Sequence, residues 1–219
     1  MGRVRGRPPF VVLEGVEGSG KSTQVGLLSG WLEGRGIAHT ATREPGGTPL
    51  GEAVRALVLE RTEVGLPAEA ELLLVTAARA AFVREVVLPA LERGQVVVSD
   101  RYDLSTFAYQ GWGRGLDLEA VERINAFATG GLRADLYLVL DVPVDQGIER
   151  QRWQGKGGDR FEREGAAFLT RVREGYLALA ERDERVRLVD ATGTADAVHE
   201  RVTEILLLEL PETFLPANG

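Results

Sequence analysis

Five short apolar runs separated by helical patterns predict a three-layer α/β domain, a five-stranded parallel sheet with helices on both faces. Three observations carry that class. The runs Phe10–Glu14, Ile37–Thr42, Gln95–Ser99, Leu136–Asp141 and Val186–Asp190 have the length and character of buried strands. Helical patterns lie between them at Lys21–Glu33, Pro49–Leu59, Ala68–Leu91, Leu118–Thr129, Val144–Gln154, Ala166–Arg182 and Ala195–Leu208, and such alternation calls for a parallel sheet covered on both sides. Finally, 219 residues with 44% hydrophobic and 27% charged content fit a single domain, 1–219, able to bury its own core.

Composition excludes several kinds of chemistry. No cysteine is present, so there is no disulfide framework, thiol nucleophile or thiolate metal site. His39 and His199 are far apart and read as surface or packing residues. A net charge of −7 argues against a protein that coats nucleic acid, though not against a small anion held locally. Residues 1–9 carry Arg3, Arg5 and Arg7 without the apolar core of a signal peptide, and are expected to form a disordered basic tail. No apolar run approaches the ~20 residues that span a bilayer. The expectation is a soluble, cytoplasmic chain without a membrane partner.

The first strand leads into the most informative stretch. Gly15, Gly20, Lys21 and Ser22 satisfy G-x-x-x-x-G-K-[ST], a phosphate-binding loop between a strand and a helix. Glycines let successive backbone N–H groups turn inward around an anion, and the following helix adds its positive end. Lys21 sets a compact charge on terminal phosphates, and the Ser22 hydroxyl is a ligand for Mg²⁺. Gly15, Val16, Glu17, Gly18, Ser19, Gly20, Lys21, Ser22 and Thr23 are therefore the candidate triphosphate cradle.

Ligands on parallel sheets gather at the carboxyl ends of the strands. The second strand is followed by Arg43, Glu44, Pro45, Gly46 and Gly47; the third by Asp100, Arg101 and Tyr102; the fourth and fifth end in Asp141 and Asp190. Guanidinium groups at two further strand ends suit a second phosphate. Near 151–164, three glycines sit among cations, between two helical patterns. This stretch is expected to be a mobile lid that closes over transferring phosphates. All but two of the 26 basic residues are arginine, and the exceptions are Lys21 and Lys156, which directs attention to Lys156 as well.

From about Phe10 to Leu208 the chain resembles thymidylate kinases of the bacterial type. The resemblance rests on G-V-E-G-S-G-K-S-T-Q, T-R-E-P-G-G-T, A-A-R, D-R-Y-D-L-S-T-F-A-Y-Q-G, L-V-L-D-V-P and V-D-A-T, in that order. It implies the P-loop nucleoside monophosphate kinase fold, phosphorylation of thymidine 5′-monophosphate by ATP with Mg²⁺, and a homodimer. It also implies that Arg43 and Arg101 grip the acceptor phosphate and that Glu17 accepts from the sugar 3′-hydroxyl. Tyr109 would then exclude a 2′-hydroxyl, and Arg79, Thr106 and Gln110 would lie at the base. Asp100 would join Ser22 at the metal.

Two positions depart from the family pattern. Val75 occupies the position where many members stack an aromatic ring on thymine, with Phe82 and Tyr102 as possible substitutes for the aromatic wall. Gly18 stands where some members carry a loop arginine, which resembles members with a catalytic arginine in the lid. There Gln154 replaces the usual arginine before the lid glycine, so Arg152 or Lys156 is expected to supply the missing cation, with Arg160 also at the phosphates. Lys21, Arg101, Arg152, Lys156 and Arg160 are the candidate catalytic residues.

Two other readings compete. One is a kinase for a different nucleoside monophosphate. The other is a P-loop ATPase switch, against which stand the absence of an N-K-x-D motif and the pairing of Asp100 with a following arginine rather than a second acid.

Overall fold

The computed structural model describes residues 7–153 and 160–215. Five parallel strands form one sheet in the order β2-β3-β1-β4-β5. They are β1 (Phe10–Glu14), β2 (His39–Arg43), β3 (Val96–Asp100), β4 (Leu136–Asp141) and β5 (Val186–Asp190). Every residue of β1 is buried, as suits the central strand of a sheet covered on both faces. On one side α1 (Lys21–Glu33) packs against β1, β2 and β3 and beside α9 (Ala195–Glu209). The other layer contains α3 (Ala68–Phe82), α6 (Leu118–Thr129) and α8 (Ala166–Arg182), joined through a wide helical turn at Phe107–Gly113. Among the described residues, no helix is long and apolar enough to cross a membrane.

Three strands and most helices fall where the sequence puts them, and the differences have local causes. β2 begins at His39 rather than Ile37, because the Ile37 N–H closes the end of α1 by bonding Leu32 O. Its last residue, Arg43, pairs with Asp100, so β3 likewise ends one residue later than expected. The long helix expected at Ala68–Leu91 is divided: α3 ends at Phe82, a widened turn spans Val83–Val87, and α4 (Leu88–Glu92) follows. Pro89 explains the division, since it lacks an N–H and its ring clashes with the carbonyl four residues back. A second widened turn, Ala56–Glu60, ends the segment begun by α2 (Pro49–Arg55). Three short helices carried no amphipathic signal: α5 (Asp103–Thr106), a 3₁₀ turn at Glu162–Glu164, and α10 (Pro211–Phe214), whose Phe214 packs 5.7 Å from Trp31. Helix α7 (Val144–Trp153) ends where residues 154–159, the middle of the expected lid, lie outside the described residues.

The N-terminal arm is anchored earlier than the expected tail of 1–9 allows. Arg7 donates to both oxygens of Asp135 at 3.1 and 3.0 Å, and Pro9 O accepts from Val97 N–H. The rest of the expected tail, residues 1–6, lies outside the described residues.

Candidate functional site

A cleft with a cavity volume of about 240 Å³ opens at the carboxyl ends of β1, β2 and β3. Its phosphate-loop side is formed by Glu17, Gly18, Gly20, Lys21, Ser22 and Thr23, while Val16 turns its side chain into the core. Gly20 precedes α1 with φ 96°, a left-handed geometry that glycine adopts without strain. Gly18 lies so close to α7 that a Cβ would stand 2.0 Å from Gly147 O, leaving no room for an arginine at this position. Lys21 Nζ donates to Gly15 O at 3.0 Å, Val16 O at 2.8 Å and Ser19 Oγ at 3.2 Å. Burial lowers its pKa to about 8, and Arg101 acts in the same direction against Asp100, Glu17 and Glu14.

Ser22 Oγ donates to Asp100 Oδ2 at 2.5 Å, which joins the start of α1 to the end of β3. Among the described residues, no group of three or more His, Cys, Asp or Glu forms a metal cage. One carboxylate and one hydroxyl suit Mg²⁺, which keeps several waters and shares its remaining ligands with phosphates.

Arg101 is the only described non-glycine residue with left-handed backbone, at φ 75°. That geometry costs on the order of 1–2 kcal/mol. Its surroundings hold it there. The Arg101 N–H donates to Leu13 O, and the guanidinium reaches Gly15 O (3.0 Å), Glu17 Oε1 (2.8 Å) and Tyr109 Oη (3.0 Å). Tyr109 in turn donates to Glu17 Oε2 at 2.6 Å. Beneath this triangle lies Glu14, fully buried, which accepts from the backbone N–H of Tyr102 and Ser105 and from the hydroxyls of Ser105 and Tyr176. Burial raises the Glu14 pKa, and the Ser105 hydroxyl, Arg101, the Tyr102 N–H and the Tyr176 hydroxyl oppose the rise.

On the acceptor side, Arg43 lines the cleft, its Nη2 donating to both carboxylate oxygens of Glu52. Arg55 from α2 adds a third guanidinium, steadied by Pro45 O at 3.1 Å. The far wall contains Val75, Arg79, Thr106 and Gln110. Arg79 directs all five N–H groups to protein acceptors: Glu44 Oε2 from Nε and Nη2, Tyr102 O, Thr106 Oγ1 and Asn125 Oδ1.

Several expectations are corrected here. Phe82 and Tyr102 do not form an aromatic wall: both are fully buried, and their rings lie 6.3 Å apart. The aromatic surface comes from Tyr109 and Phe161, whose rings meet edge-on at 5.0 Å. Arg152 is exposed on α7, and Gln151 lines the cleft instead, because each residue turns about 100° around a helix. Arg150 points to Ala191 O and Gly193 O. Arg160 does not face the phosphate loop. It donates to Val58 O, Arg61 O and Val64 O, carbonyl groups around the widened turn, and so acts as a strut. Lys156 lies outside the described residues. Asp141 and Asp190, at the ends of β4 and β5, are engaged by Arg173 and by Thr192.

The strut reading of Arg160 predicts that Arg160→Ala speeds hydrogen exchange across residues 58–64 about tenfold or more, from three lost charge-assisted bonds. The turnover number should change less than tenfold; a thousandfold loss would return Arg160 to a catalytic role.

The family model described as Thymidylate kinase matches residues 13–202. The chain belongs to the thymidylate kinase family. A thymidylate kinase of Alkalilimnicola ehrlichii is 49% identical over 203 residues, covering 92% of this chain and 93% of that one. One from Desulfovibrio desulfuricans is 50% identical over 190 residues, covering 84% and 88%. The crystal structure of thymidylate kinase from Ehrlichia chaffeensis superposes with a TM-score of 0.72 at 28% identity, covering 91% of this chain and 98% of that one. Within this thymidylate kinase family member, the residues missed by sequence reasoning are Glu14, Glu44, Arg55, Ser105, Asn125, Phe161 and Tyr176. Two of them had a local signal: Glu14, a carboxylate closing an otherwise apolar strand, and Glu44, which directly follows a strand end.

Proposed function

We propose that this chain transfers the terminal phosphoryl group of ATP to thymidine 5′-monophosphate, giving the diphosphate used for dTTP synthesis in the cytoplasm. The observation that carries the reading is one cleft in which the Lys21 loop faces Arg43, Arg55 and Arg101. Lys21 and the loop amides hold the donor phosphates, and the three arginines hold the acceptor phosphate. An acceptor phosphate oxygen bonds to the transferred phosphorus as the bond to the donor's bridging oxygen breaks, and ADP leaves. The attacking oxygen is already unprotonated near neutral pH, so no general base is assigned. Catalysis rests on alignment and on cations facing the spreading negative charge.

Mg²⁺, held through Ser22 and Asp100, neutralises donor phosphate charge when bound. Glu17 accepts from the sugar 3′-hydroxyl, and Tyr109 fills the space a 2′-hydroxyl would need. Val75 packs on the base without π-stacking, while Thr106, Gln110 and Arg79 face its polar edge. The cluster fits acceptor binding better than hydrolysis, since three guanidinium groups beside the loop suit a second phosphate.

The chain is further proposed to form a homodimer. α3 and α6 pack side by side, and each exposes a large apolar side chain, Leu73 at 57% and Phe127 at 89%. Sedimentation velocity should give twice the protomer mass. The function itself is tested by coupled assay of ADP release with thymidine, deoxyuridine, cytidine, guanosine and adenosine monophosphates. Strong preference for thymidine monophosphate is expected. ATP hydrolysis unaffected by any acceptor would overturn the reading.

A further inference from the structure

Gln110 lines the cleft beside Thr106 and is 2% exposed. Its Nε2 donates to Glu71 Oε1 at 2.7 Å. Glu71 is fully buried on α3, and its two oxygens also accept from Arg114, Nε to Oε1 at 3.3 Å and Nη2 to Oε2 at 3.0 Å. A carboxylate accepts hydrogen bonds and does not donate them. Turning the Gln110 amide over would therefore press its carbonyl oxygen against an anion and bury two opposed acceptors. The amide is held one way round. Among the described residues nothing donates to Gln110 Oε1, so the atom left for the cleft is an acceptor.

We propose that Glu71 is a positioning residue that fixes the Gln110 carbonyl toward the acceptor base and thereby selects bases whose ring nitrogen carries a hydrogen. The inference deepens the functional reading above and rests on it. Thymine and uracil present N3–H, which donates to Gln110 Oε1. Cytosine presents an N3 lone pair, which meets that oxygen as a second acceptor. The same geometry gives no discrimination between thymine and uracil, which differ only at the 5-methyl group.

The test uses full-length protein carrying Glu71→Gln, with kcat/KM measured for thymidine and deoxycytidine monophosphates. A glutamine at 71 can accept or donate, so either Gln110 orientation becomes satisfied. The preference for thymidine monophosphate should fall about tenfold or more, chiefly through the acceptor KM, with KM for ATP unchanged. Arg114→Gln removes the ion pair yet keeps the carboxylate, and should lower the melting temperature while retaining the preference. Should Glu71→Gln fail to fold alone, Glu71→Gln combined with Arg114→Gln balances the charge and carries the same expected loss. An unchanged preference in the folded Glu71 variant, or an equal loss in Arg114→Gln, overturns this assignment while the functional reading stands. A parent protein that phosphorylates neither pyrimidine overturns the functional reading and this assignment with it.

Discussion

Replacing Lys21 by methionine should lower kcat about a thousandfold or more without loosening the fold. The two effects have one origin. Lys21 is a buried cation whose pKa is lowered to about 8 by desolvation, so the folded chain holds a charge that water would hold more favourably. From the unperturbed 10.5 down to about 8, that cost is on the order of 3 kcal/mol at neutral pH. Hydrogen bonds to Gly15 O, Val16 O and Ser19 Oγ offset part of it. A methionine of similar shape removes the cost along with the function, so an equal or higher melting temperature is expected. Between pH 8 and 10.5 the unfolded chain binds the extra proton, so stability attributable to this group rises with pH across that window. Activity runs the other way. In the free protein the ammonium is lost as pH rises through about 8, and kcat/KM for ATP should decline above it. A variant with kcat within tenfold of the parent would remove Lys21 from the transferring phosphate.

That coupling of strain and function explains what the sequence made legible. The phosphate loop could be read residue by residue because its chemistry is local: Gly15 to Ser22 form one turn, and each spacing has a steric or electrostatic cause. β1 and β4 were legible for a similar reason, as apolar runs unbroken up to their closing carboxylates, and β5 by its Val186, Leu188 and Val189 around Arg187. The acceptor wall was only partly so. Arg43 and Arg101 follow from the rule about strand ends, but Arg55 comes from the middle of a helical pattern with nothing to mark it. The segment from Asp103 to Gly113 has no amphipathic period, because its residues are buried on nearly every side and its aromatic and glycine content favours neither regular helix nor strand. Lid arginines misled for a physical reason. Charge count along a loop says nothing about which unpaired carbonyls lie nearby, and Arg160 found three of them.

Arg79→Met should destabilise the protein by about 3–5 kcal/mol, the largest stability effect expected from any cleft residue. For a chain of this size that corresponds to a fall in melting temperature of roughly 6–20 °C. The reason is the company Arg79 keeps. It is 3% exposed, its Nε and Nη2 both donate to Glu44 Oε2, and Glu44 is 2% exposed with Oε1 lacking any partner among the described residues. Burial pushes the Glu44 carboxyl up to about 7 even with Arg79 beside it. Because this folded pKa lies above the unfolded 4.5, Glu44's contribution is fully present below 4.5 and is lost as pH rises to about 7. Removing the guanidinium leaves that carboxyl without compensation and frees Thr106, Asn125 and Tyr102 O as well. Glu44→Gln should be milder, since an amide carries no charge to desolvate, and combining it with Arg79→Met should restore part of the lost stability. The size of that recovery separates the pair from the surrounding network. With all five N–H groups already engaged on four acceptor atoms, Arg79 can read a base carbonyl only by sharing or exchanging a bond on its cleft side, where Thr106 also lines the wall. KM for the acceptor should therefore rise in Arg79→Met even in the stability-restored double variant. An acceptor KM equal to the parent's in that background would confine Arg79 to a structural part.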